Sequence, residues 1–419
     1  MFNKAYNKYS KLKKRINFFD EISAHYLYEL CLNKKLRFKI NFISIFFHIF
    51  LLILSIISIL CSRIKRVNKG YYFVIFDSSL KDQRSLNIQN KIDLNKYINF
   101  VRTRSFLTSL QVFFKYPNVV FFQSIFAFSY FINLRIFNEN SIESKYRFIT
   151  RVKKFQFKCI EKIFYFLGIK KFIMIDDYRE IQGFIKICQN LKIFSIAYMH
   201  SRFSKYRVAL GYEAFDKYIV WSNFFKQQLI NINSKYKNRI LINNFNFYKK
   251  YKKQINNKDY EKIKILYFFD MYIDFFSVKF YLDQLISNKN FEIYFKIKNN
   301  ENPDQRLIKY AKLHNIYIFE SKSIKDIVNK ITPQIFMAAN SNVLLEATLY
   351  NCFPVLIKTK NDYSLDLVKN NSVILLNKKR NICGFILNLV AKSYLKNKIY
   401  KKIWGLTNNN KSKLKMIIS

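Results

Sequence analysis

The sequence predicts an α/β fold with two successive domains, each built on a parallel sheet with crossover helices. The chain has 419 residues, and single cores stop growing at roughly 250 to 300 residues. Beyond residue 70, short apolar runs alternate with amphipathic segments of helical length, which is the pattern of strands joined by helices. A polar, lysine-rich stretch at 246–262 interrupts the alternation, which then starts again.

The first part of the pattern covers residues 70–245 and is interpreted as the N-terminal domain. Its apolar runs predict strands at 71–76, 119–122, 172–175, 193–198, 218–221 and 239–242. The stretch 81–116 fits neither the strand pattern nor the helix pattern clearly. Residues 1–69 are interpreted as a basic arm followed by a membrane-associated helix.

The second part covers residues 263–390 and is interpreted as the C-terminal domain, joined to the first by the linker 246–262. Its predicted strands are 263–269, 291–297, 316–319, 334–338 and 354–357, and its predicted helices are 278–287, 304–314, 324–331 and 342–350. The Lys- and Asn-rich tail at 391–419 is expected to begin as a helix and then to fray.

The charge of the chain points to an anionic partner. The formal net charge is +46, from 73 Lys and Arg against 27 Asp and Glu. Nucleic acid, an anionic membrane surface and phosphorylated substrates would each suit such a charge. A skew towards Lys, Asn, Ile, Phe and Tyr is also typical of an AT-rich genome, but that bias does not remove acidic residues. We therefore expect some anionic partner.

The cysteines indicate a reducing compartment. They are scattered without a CxxC pair or a histidine at metal-ligand spacing: Cys31, Cys61, Cys159, Cys188, Cys352 and Cys383. A zinc site or a disulfide framework is therefore not expected. Several of these cysteines lie in apolar runs, where a thiol behaves as a small hydrophobic group. We place the catalytic part in the cytoplasm.

Residues 42–62 carry no formal charge and are long enough to cross a hydrocarbon core. Basic residues flank them on both sides, at 34–39 and 63–69, so the positive-inside rule does not choose an orientation. A helix lying in the inner leaflet keeps both basic flanks on the anionic surface. We favour this in-plane helix over a true span, with a buried helix of a soluble domain as the third alternative.

The segment SNVLLEATLYNCFPVL begins at Ser341, directly after a predicted strand. Ser341 and Asn342 fall at the expected start of a helix, where backbone amides and small polar side chains suit a phosphate group. Glu346 lies four residues after Asn342 on the same helical face, and its apolar neighbours predict burial. The alternative is that Ser341 only caps the helix and Glu346 pairs with a lysine.

This segment resembles the nucleotide-sugar-binding half of GT-B glycosyltransferases, in which a Ser-containing turn, a helix, an acidic residue and a "PV" strand hold the donor. The resemblance implies that Glu346 binds ribose hydroxyls and that Ser341 and Asn342 lie at the diphosphate.

Polar residues also follow two neighbouring predicted strands in the segments MIDDYRE and SIAYMHSRFSKY. They are Asp176, Asp177, Arg179 and Glu180 after one strand, and His200, Ser201 and Arg202 after the next. Open α/β sheets form their ligand crevice at the carboxyl ends of strands. His200 could therefore take a proton from an acceptor hydroxyl, with Asp177 beside it. In the alternative, His200 is a hydrogen-bonded histidine at a strand end and Asp177 a helix cap.

The same region resembles the acceptor half of polysaccharide and teichoic-acid-type transferases, whose comparable turn reads His-Gly. Here Ser201 stands in place of the glycine. A second departure is the segment YFKIKNNENP, where many relatives carry a His-Pro pair. Lys296 and Lys298 occupy this position, and a lysine can still neutralise a diphosphate as a point charge. A solvated basic loop is the alternative interpretation.

Absent motifs narrow the choice of function. None of the six glycines forms GxGxxG or GxxxxGK[ST], so dinucleotide and Walker-type phosphate loops are not supported. No acidic pair stands in the context of a metal-dependent transferase, and neither a metal nor a cofactor is expected.

The order of these features is that of GT-B enzymes, with two Rossmann-like domains facing each other across a cleft. It predicts a glycosyltransferase that moves a sugar from a nucleotide-sugar donor to a membrane-associated glycan or lipid-linked acceptor. The expected process is surface polysaccharide biosynthesis at the cytoplasmic face of the plasma membrane. A CDP-linked polyol-phosphate transferase on the same scaffold is one alternative. A non-enzymatic basic protein that binds membrane or nucleic acid is another, although the apolar segment argues against nucleic acid.

Overall fold

The computed structural model describes most of the chain, with gaps between the described ranges. These are residues 1–32, 42–60, 73–77, 97–101, 105–115, 118–121, 141–175, 181–243, 261–269, 274–297, 303–320, 322–360, 363–378 and 381–405. The chain divides into two compact units. The N-terminal unit includes Ala5–Trp221 and Phe225–Phe245, and the C-terminal unit includes Asn246–Thr407.

The described strands of the N-terminal unit form one parallel sheet. They are β1 (Phe73–Asp77), β2 (Tyr97–Val101), β3 (Val119–Val120), β4 (Lys171–Ile175), β5 (Phe194–Tyr198), β6 (Lys217–Val220) and β7 (Ile240–Ile242). Their order in the sheet is β3-β2-β1-β4-β5-β6-β7, and every pairing is parallel. Central strands of such a sheet are covered on both faces, which explains why β4 and β6 read as continuous apolar runs.

Helices lie between and before these strands. They are α1 (Phe2–Arg15), α2 (Ala24–Cys31), α3 (Phe42–Leu60), α4 (Phe106–Lys115), α5 (Ile142–Phe166), α6 (Ile181–Asn190) and α7 (Asn223–Ile232). The sequence pattern at 81–116 was ambiguous because it holds both β2 and α4. The two are short and adjoin each other, so neither period is sustained over a full window.

The first two helices pack onto the N-terminal unit through aromatic side chains. The Tyr28 ring stacks on the Tyr206 ring, with centroids 6.3 Å apart. The Tyr6 ring contacts the Tyr206 ring edge-on, with centroids 6.2 Å apart. The Tyr146 hydroxyl on α5 donates a hydrogen bond to the Asp20 carbonyl at 2.9 Å. The segment interpreted from sequence as a basic arm thus includes residues that pack into this unit.

Helix α6 approaches α5 closely at Gly183, where the Phe157 ring occupies the space of a side chain. Gly183→Ala should therefore displace this buried ring. Overpacking a core costs about 3 kcal/mol at the upper end of its usual range, and alanine is favoured over glycine in a helix by about 1 kcal/mol. We therefore expect the free energy of unfolding to fall by about 2 kcal/mol. The measurement is the urea midpoint of unfolding. Gly211→Ala is the matched control, because a methyl group there meets no atom within 4 Å, and an equal effect of both changes would contradict the packing argument.

Helices α3 and α4 cover the end of the sheet formed by β2 and β3. Leu51 and Leu54 of α3 pack with Val112 of α4 and with Val119 and Phe121 at β3. The segment 42–62, predicted to be helical, is thus a helix over most of its length. In the part of the chain that is described, no helix combines the length and apolar character needed to cross a membrane. Membrane association of α3 stays a prediction.

The described strands of the C-terminal unit form a second parallel sheet. They are β8 (Ile263–Phe268), β9 (Phe291–Lys296), β10 (Tyr317–Phe319), β11 (Ile335–Ala338), β12 (Phe353–Ile357) and β13 (Ile374–Leu376). Their order is β10-β9-β8-β11-β12-β13, and all pairings are parallel. The strand β13 was not predicted, because its three residues at the end of the sheet are too short for a pattern.

The helices of this unit begin at the polar residues that the sequence offers. They are α8 (Phe275–Ile286), α9 (Gln305–Leu313), α10 (Ile324–Ile331), α11 (Val343–Glu346), α12 (Leu365–Lys369), α13 (Ile382–Ala391) and α14 (Tyr394–Trp404). Asp304 caps α9 by accepting from the Arg306 amide at 2.9 Å, and Ser323 caps α10 by accepting from the Asp326 amide at 3.2 Å. The prediction of two α/β domains with parallel sheets is confirmed. The predicted linker lies almost entirely outside the described residues.

Candidate functional site

The strand order of the C-terminal sheet defines where a ligand crevice forms. Chain order runs outward from β8 to β10 and then returns to β11 on the other side of β8, so the direction reverses between β8 and β11. Open α/β sheets bind ligands at the carboxyl ends of the strands beside this switch point. Ala338 ends β11, and the segment that follows brings Asn340, Ser341 and Asn342 to this edge.

Hydrogen bonds order the turn after β11. Ser364, which is buried, donates from Oγ to Asn340 Oδ1 at 2.9 Å and so fixes the orientation of that amide. Ser341 Oγ accepts from the Val343 amide at a long 3.4 Å. A bond between these two groups is what the capping alternative for Ser341 predicts. Its length lies near the distance limit for a hydrogen bond. The bond between Ser364 and Asn340 therefore ties the turn after β11 to the residue that precedes α12.

The helix predicted at 342–350 is shorter in the structure and differs in type. Helix α11 ends at Glu346, and a 3-10 turn, Ala347–Tyr350, completes the segment. Val343, Leu344 and Leu345 are buried, but Glu346 is half-buried and therefore more accessible than the sequence predicted. Asn342 is half-buried as well. The segment thus packs its apolar side inward and leaves these two polar side chains accessible to a ligand.

The charge of Glu346 acts on a neighbouring phenol. Burial raises the pKa of the Tyr350 hydroxyl well above its usual value, and the nearby Glu346 carboxylate raises it further. Tyr350 therefore stays protonated and can donate a hydrogen bond at any ordinary pH. The Trp404 indole donates from Nε1 to the Leu345 carbonyl at 3.1 Å. Helix α14 thus supports the short helix that carries Glu346.

Asp274 connects two loops at the same edge of the sheet. Its carboxylate accepts from the Ser277 amide at 3.4 Å, which caps α8, and from the Lys360 amide at 3.2 Å in the loop after β12. Burial alone raises the pKa of this carboxyl, but the hydrogen bonds from Ser277 and Lys360 outweigh it and lower the pKa below its usual value. The same loop carries the exposed cations Lys358 and Lys360.

The two lysines after β9 have different positions. Lys296, the last residue of β9, is buried, and its ammonium donates to the carbonyls of Ile297 and Glu320, the latter at 2.6 Å. Burial lowers the pKa of Lys296, while the charge of Glu320 raises it in part. Lys296 thus holds the ends of β9 and β10 together. Lys298 lies outside the described residues.

In the N-terminal sheet, His200 follows β5, next to the strand β4 whose continuation contains Asp177. Strands β4 and β5 pair in parallel from Lys171 and Phe194 onward, so their carboxyl ends share one edge. His200 is half-buried. Four polar residues after β4 lie outside the described residues, namely Asp176, Asp177, Arg179 and Glu180. The placement of Asp177 beside His200 therefore stays a prediction.

The segment around His200 is well anchored. The Met199 amide donates to the Ile219 carbonyl at 3.0 Å, and the Phe203 amide donates to Gln228 Oε1 at 3.3 Å. Arg202 is fully buried. Ser201 does not have a positive φ, so the turn does not need the glycine that the related transferases carry there.

Sequence reasoning missed three contributors to the C-terminal site. Asn340 directly precedes the motif and could have been included on that ground, and Asp274 precedes an apolar segment in the manner of a helix cap. Ser364 offered no signal, since its contact joins residues 24 positions apart. Among the described residues, no group of three His, Cys, Asp or Glu could hold a metal ion.

Comparison with solved structures shows the class of fold. UDP-GlcNAc 2-epimerase from Neisseria meningitidis bound to UDP-GlcNAc matches 83% of this chain and 100% of its own, with a TM-score of 0.51 and 12% identity. MurG from Acinetobacter baumannii matches 83% and 99%, with a TM-score of 0.49 and 9% identity. S. aureus MnaA with UDP matches 81% and 92%, at 0.48 and 10%. The chain has a two-domain α/β fold of the GT-B type.

Comparison of the amino-acid sequence alone adds no further relative to those found by comparison of structures. No protein-family model matches the chain, and no curated protein matches it.

Proposed function

We propose that this protein is a glycosyltransferase that moves a sugar from a nucleotide-sugar donor to a membrane-associated glycan or lipid-linked acceptor in surface polysaccharide biosynthesis. One observation carries the proposal. The accessible polar group Asn340, Ser341, Asn342 and Glu346 borders the switch point of the C-terminal sheet. Ligands of open α/β sheets bind at this position.

In the proposed complex, the C-terminal unit binds the donor. The Glu346 carboxylate accepts hydrogen bonds from the two ribose hydroxyls, and Ser341 and Asn342 donate to the diphosphate. Lys298 is proposed to neutralise diphosphate charge, with the exposed Lys358 and Lys360 at the same sheet edge in the same role. Asn340 and Asp274 position the two loops that carry these groups.

The N-terminal unit supplies the base in this proposal. His200 takes the proton of the acceptor hydroxyl while that oxygen forms a bond to the anomeric carbon of the sugar. The bond from this carbon to the nucleoside diphosphate breaks, and the diphosphate leaves with the electron pair. Asp177, after the adjacent strand, orients the imidazole.

The cytoplasmic face of the plasma membrane is the proposed location. The described cysteines are free thiols, two of them, Cys188 and Cys352, fully buried, in keeping with a reducing compartment.

A nucleotide-sugar epimerase is the second candidate. The observation that favours it is the match to a UDP-GlcNAc 2-epimerase with a TM-score above one half. Such an enzyme changes one stereocentre of the donor sugar and needs no acceptor. Incubation with UDP-GlcNAc alone separates the two functions, because a C2 epimer detected by NMR would assign the epimerase and displace the transferase.

The proposal predicts that the nucleotide part of the donor stabilises the protein against heat. At a concentration one hundred times the dissociation constant, a bound ligand contributes about 2.7 kcal/mol. We expect this effect from one or two of UDP, GDP, CDP and CMP, tested separately by thermal unfolding. Inorganic pyrophosphate is the matched control for non-specific binding to so basic a chain. Equal stabilisation by pyrophosphate, or none by any nucleotide, would contradict the donor site.

A further inference from the structure

The outward-facing side of α3 is apolar. Among the α3 side chains that the structure describes, the exposed ones recur at helical spacing and are Phe46, Ile49, Ile53, Ile56, Ile57 and Leu60. Ser55 and Ser58 are instead buried, and Ser55 Oγ accepts from the Phe121 amide at 3.0 Å. A helix that faces water places serines outside and isoleucines inside. The polarity of α3 is therefore the reverse of that of a water-facing helix.

Helix α4 extends this apolar surface. Its Phe106 ring lies against Phe47 and Phe50 of α3, with centroid distances of 4.9 and 5.0 Å. Leu107 and Phe114 of α4 are 68% and 74% exposed. Phe106, itself 45% exposed, thus joins the two helices, and we call the exposed apolar side chains of both helices together the α3–α4 surface. Contiguous exposed apolar surface of this kind marks an interaction site.

The sequence around both helices has no acidic residue. None occurs between Glu29 and Asp77, or between Asp93 and Glu139, although the chain has 27 in all. Basic residues flank α3 at 34–39 and 63–69, and Arg102, Arg104 and Lys115 flank or end α4. The partner of the α3–α4 surface must therefore combine apolar groups with negative charge.

We propose that the α3–α4 surface docks in plane on an anionic lipid bilayer. The exposed Ile, Leu and Phe side chains enter the boundary of the acyl chains, and the excess of Lys and Arg in the sequence around the two helices attracts the anionic headgroups. A second copy of this chain is disfavoured as the partner, because it would bring two acid-free basic regions together. The proposal is independent of the nucleotide-sugar function, which can stand if the bilayer test fails.

The test measures binding of the full-length protein to vesicles by co-sedimentation. Vesicles of phosphatidylglycerol and phosphatidylcholine should bind the protein, and phosphatidylcholine alone should bind it much less. Leu107→Gln and Phe114→Gln should each weaken binding roughly tenfold, since each removes apolar area from the acyl boundary. Both side chains are largely exposed, so neither change should disturb folding.

Phe276→Gln is the matched control. Phe276 on α8 is 74% exposed but belongs to the C-terminal unit and is not part of the α3–α4 surface, so its replacement should leave binding unchanged. In a second readout, the emission of Leu107→Trp should shift to the blue on vesicle addition and be quenched by brominated acyl chains.

Three results would overturn the proposal. The first is equal binding by the parent and the Leu107→Gln, Phe114→Gln double variant. The second is complete release from vesicles by high salt, which weakens surface charge but not apolar insertion. The third is a stable dimer in the absence of vesicles that the double variant abolishes, which would assign the surface to self-association.

Discussion

Alanine in place of His200 is expected to lower the rate of sugar transfer by about 10²- to 10⁴-fold, the usual contribution of a general base. Affinity for the donor should stay close to that of the parent, because the donor is assigned to the other unit. The surrounding backbone is held by main-chain and Gln228 contacts that do not involve the imidazole. The substitution should therefore remove the base without moving the segment. The measurement is turnover at saturating substrates alongside donor binding by calorimetry.

His314→Ala is the matched control, since this exposed histidine follows α9 in the C-terminal unit. It should change neither turnover nor binding. If His200→Ala turned over at the parent rate, His200 would have no part in the reaction. The search for the base would then move to Asp177 and Glu180, the carboxylates that follow the neighbouring strand.

Substitution of Glu346 should act on donor binding rather than on the chemical step. Hydrogen bonds to a charged acceptor contribute roughly 1.5 to 3 kcal/mol each. Glu346→Ala, which removes both proposed hydrogen bonds to the ribose hydroxyls, should weaken donor binding by about 10²- to 10⁴-fold, since each 1.4 kcal/mol is tenfold. Glu346→Gln keeps the shape but not the charge and should cost about tenfold. Calorimetry with the nucleotide identified by thermal stabilisation provides the measurement.

The Glu346 test needs a measure of folding as well. Circular dichroism and the unfolding midpoint in the absence of ligand should be unchanged, because Glu346 is half-buried at the accessible side of α11. Glu320→Gln, an exposed glutamate of the same unit, is the control and should bind donor normally. Unchanged donor affinity together with a lower unfolding midpoint would show that Glu346 stabilises the fold and does not bind the donor.

The sequence predicted the strands of the second sheet well where they are central and buried. The predicted strand at 334–338 matches Ile335–Ala338 and that at 263–269 matches Ile263–Phe268, because strands covered on both faces are continuous apolar runs. The strands β2 and β13 were missed. They lie nearer the ends of their sheets, and β13 has only three residues, two of them half-buried, so the apolar signal was too short.

The candidate site was predictable only in its local part. Ser341, Asn342 and Glu346 lie within one segment, and their shared face follows from helical spacing. The predicted continuous helix was wrong in its second half, where a 3-10 turn replaces it. Contacts between distant segments, such as Ser364 with Asn340 and Trp404 with Leu345, depend on the tertiary fold and leave no periodic pattern.

Asp274, which links the start of α8 to the loop after β12, should keep this link intact in mild acid. Because its pKa is lower in the folded protein than in the unfolded chain, the carboxylate stabilises the fold above the usual Asp pKa. This stabilisation is lost only as the pH falls through the lowered value. The link between the α8 cap and the Lys360 loop therefore survives mild acidification, in which an ordinary aspartate would begin to take up protons. The two hydrogen bonds that Asp274 accepts from the Ser277 and Lys360 amides should therefore persist in mildly acidic solution.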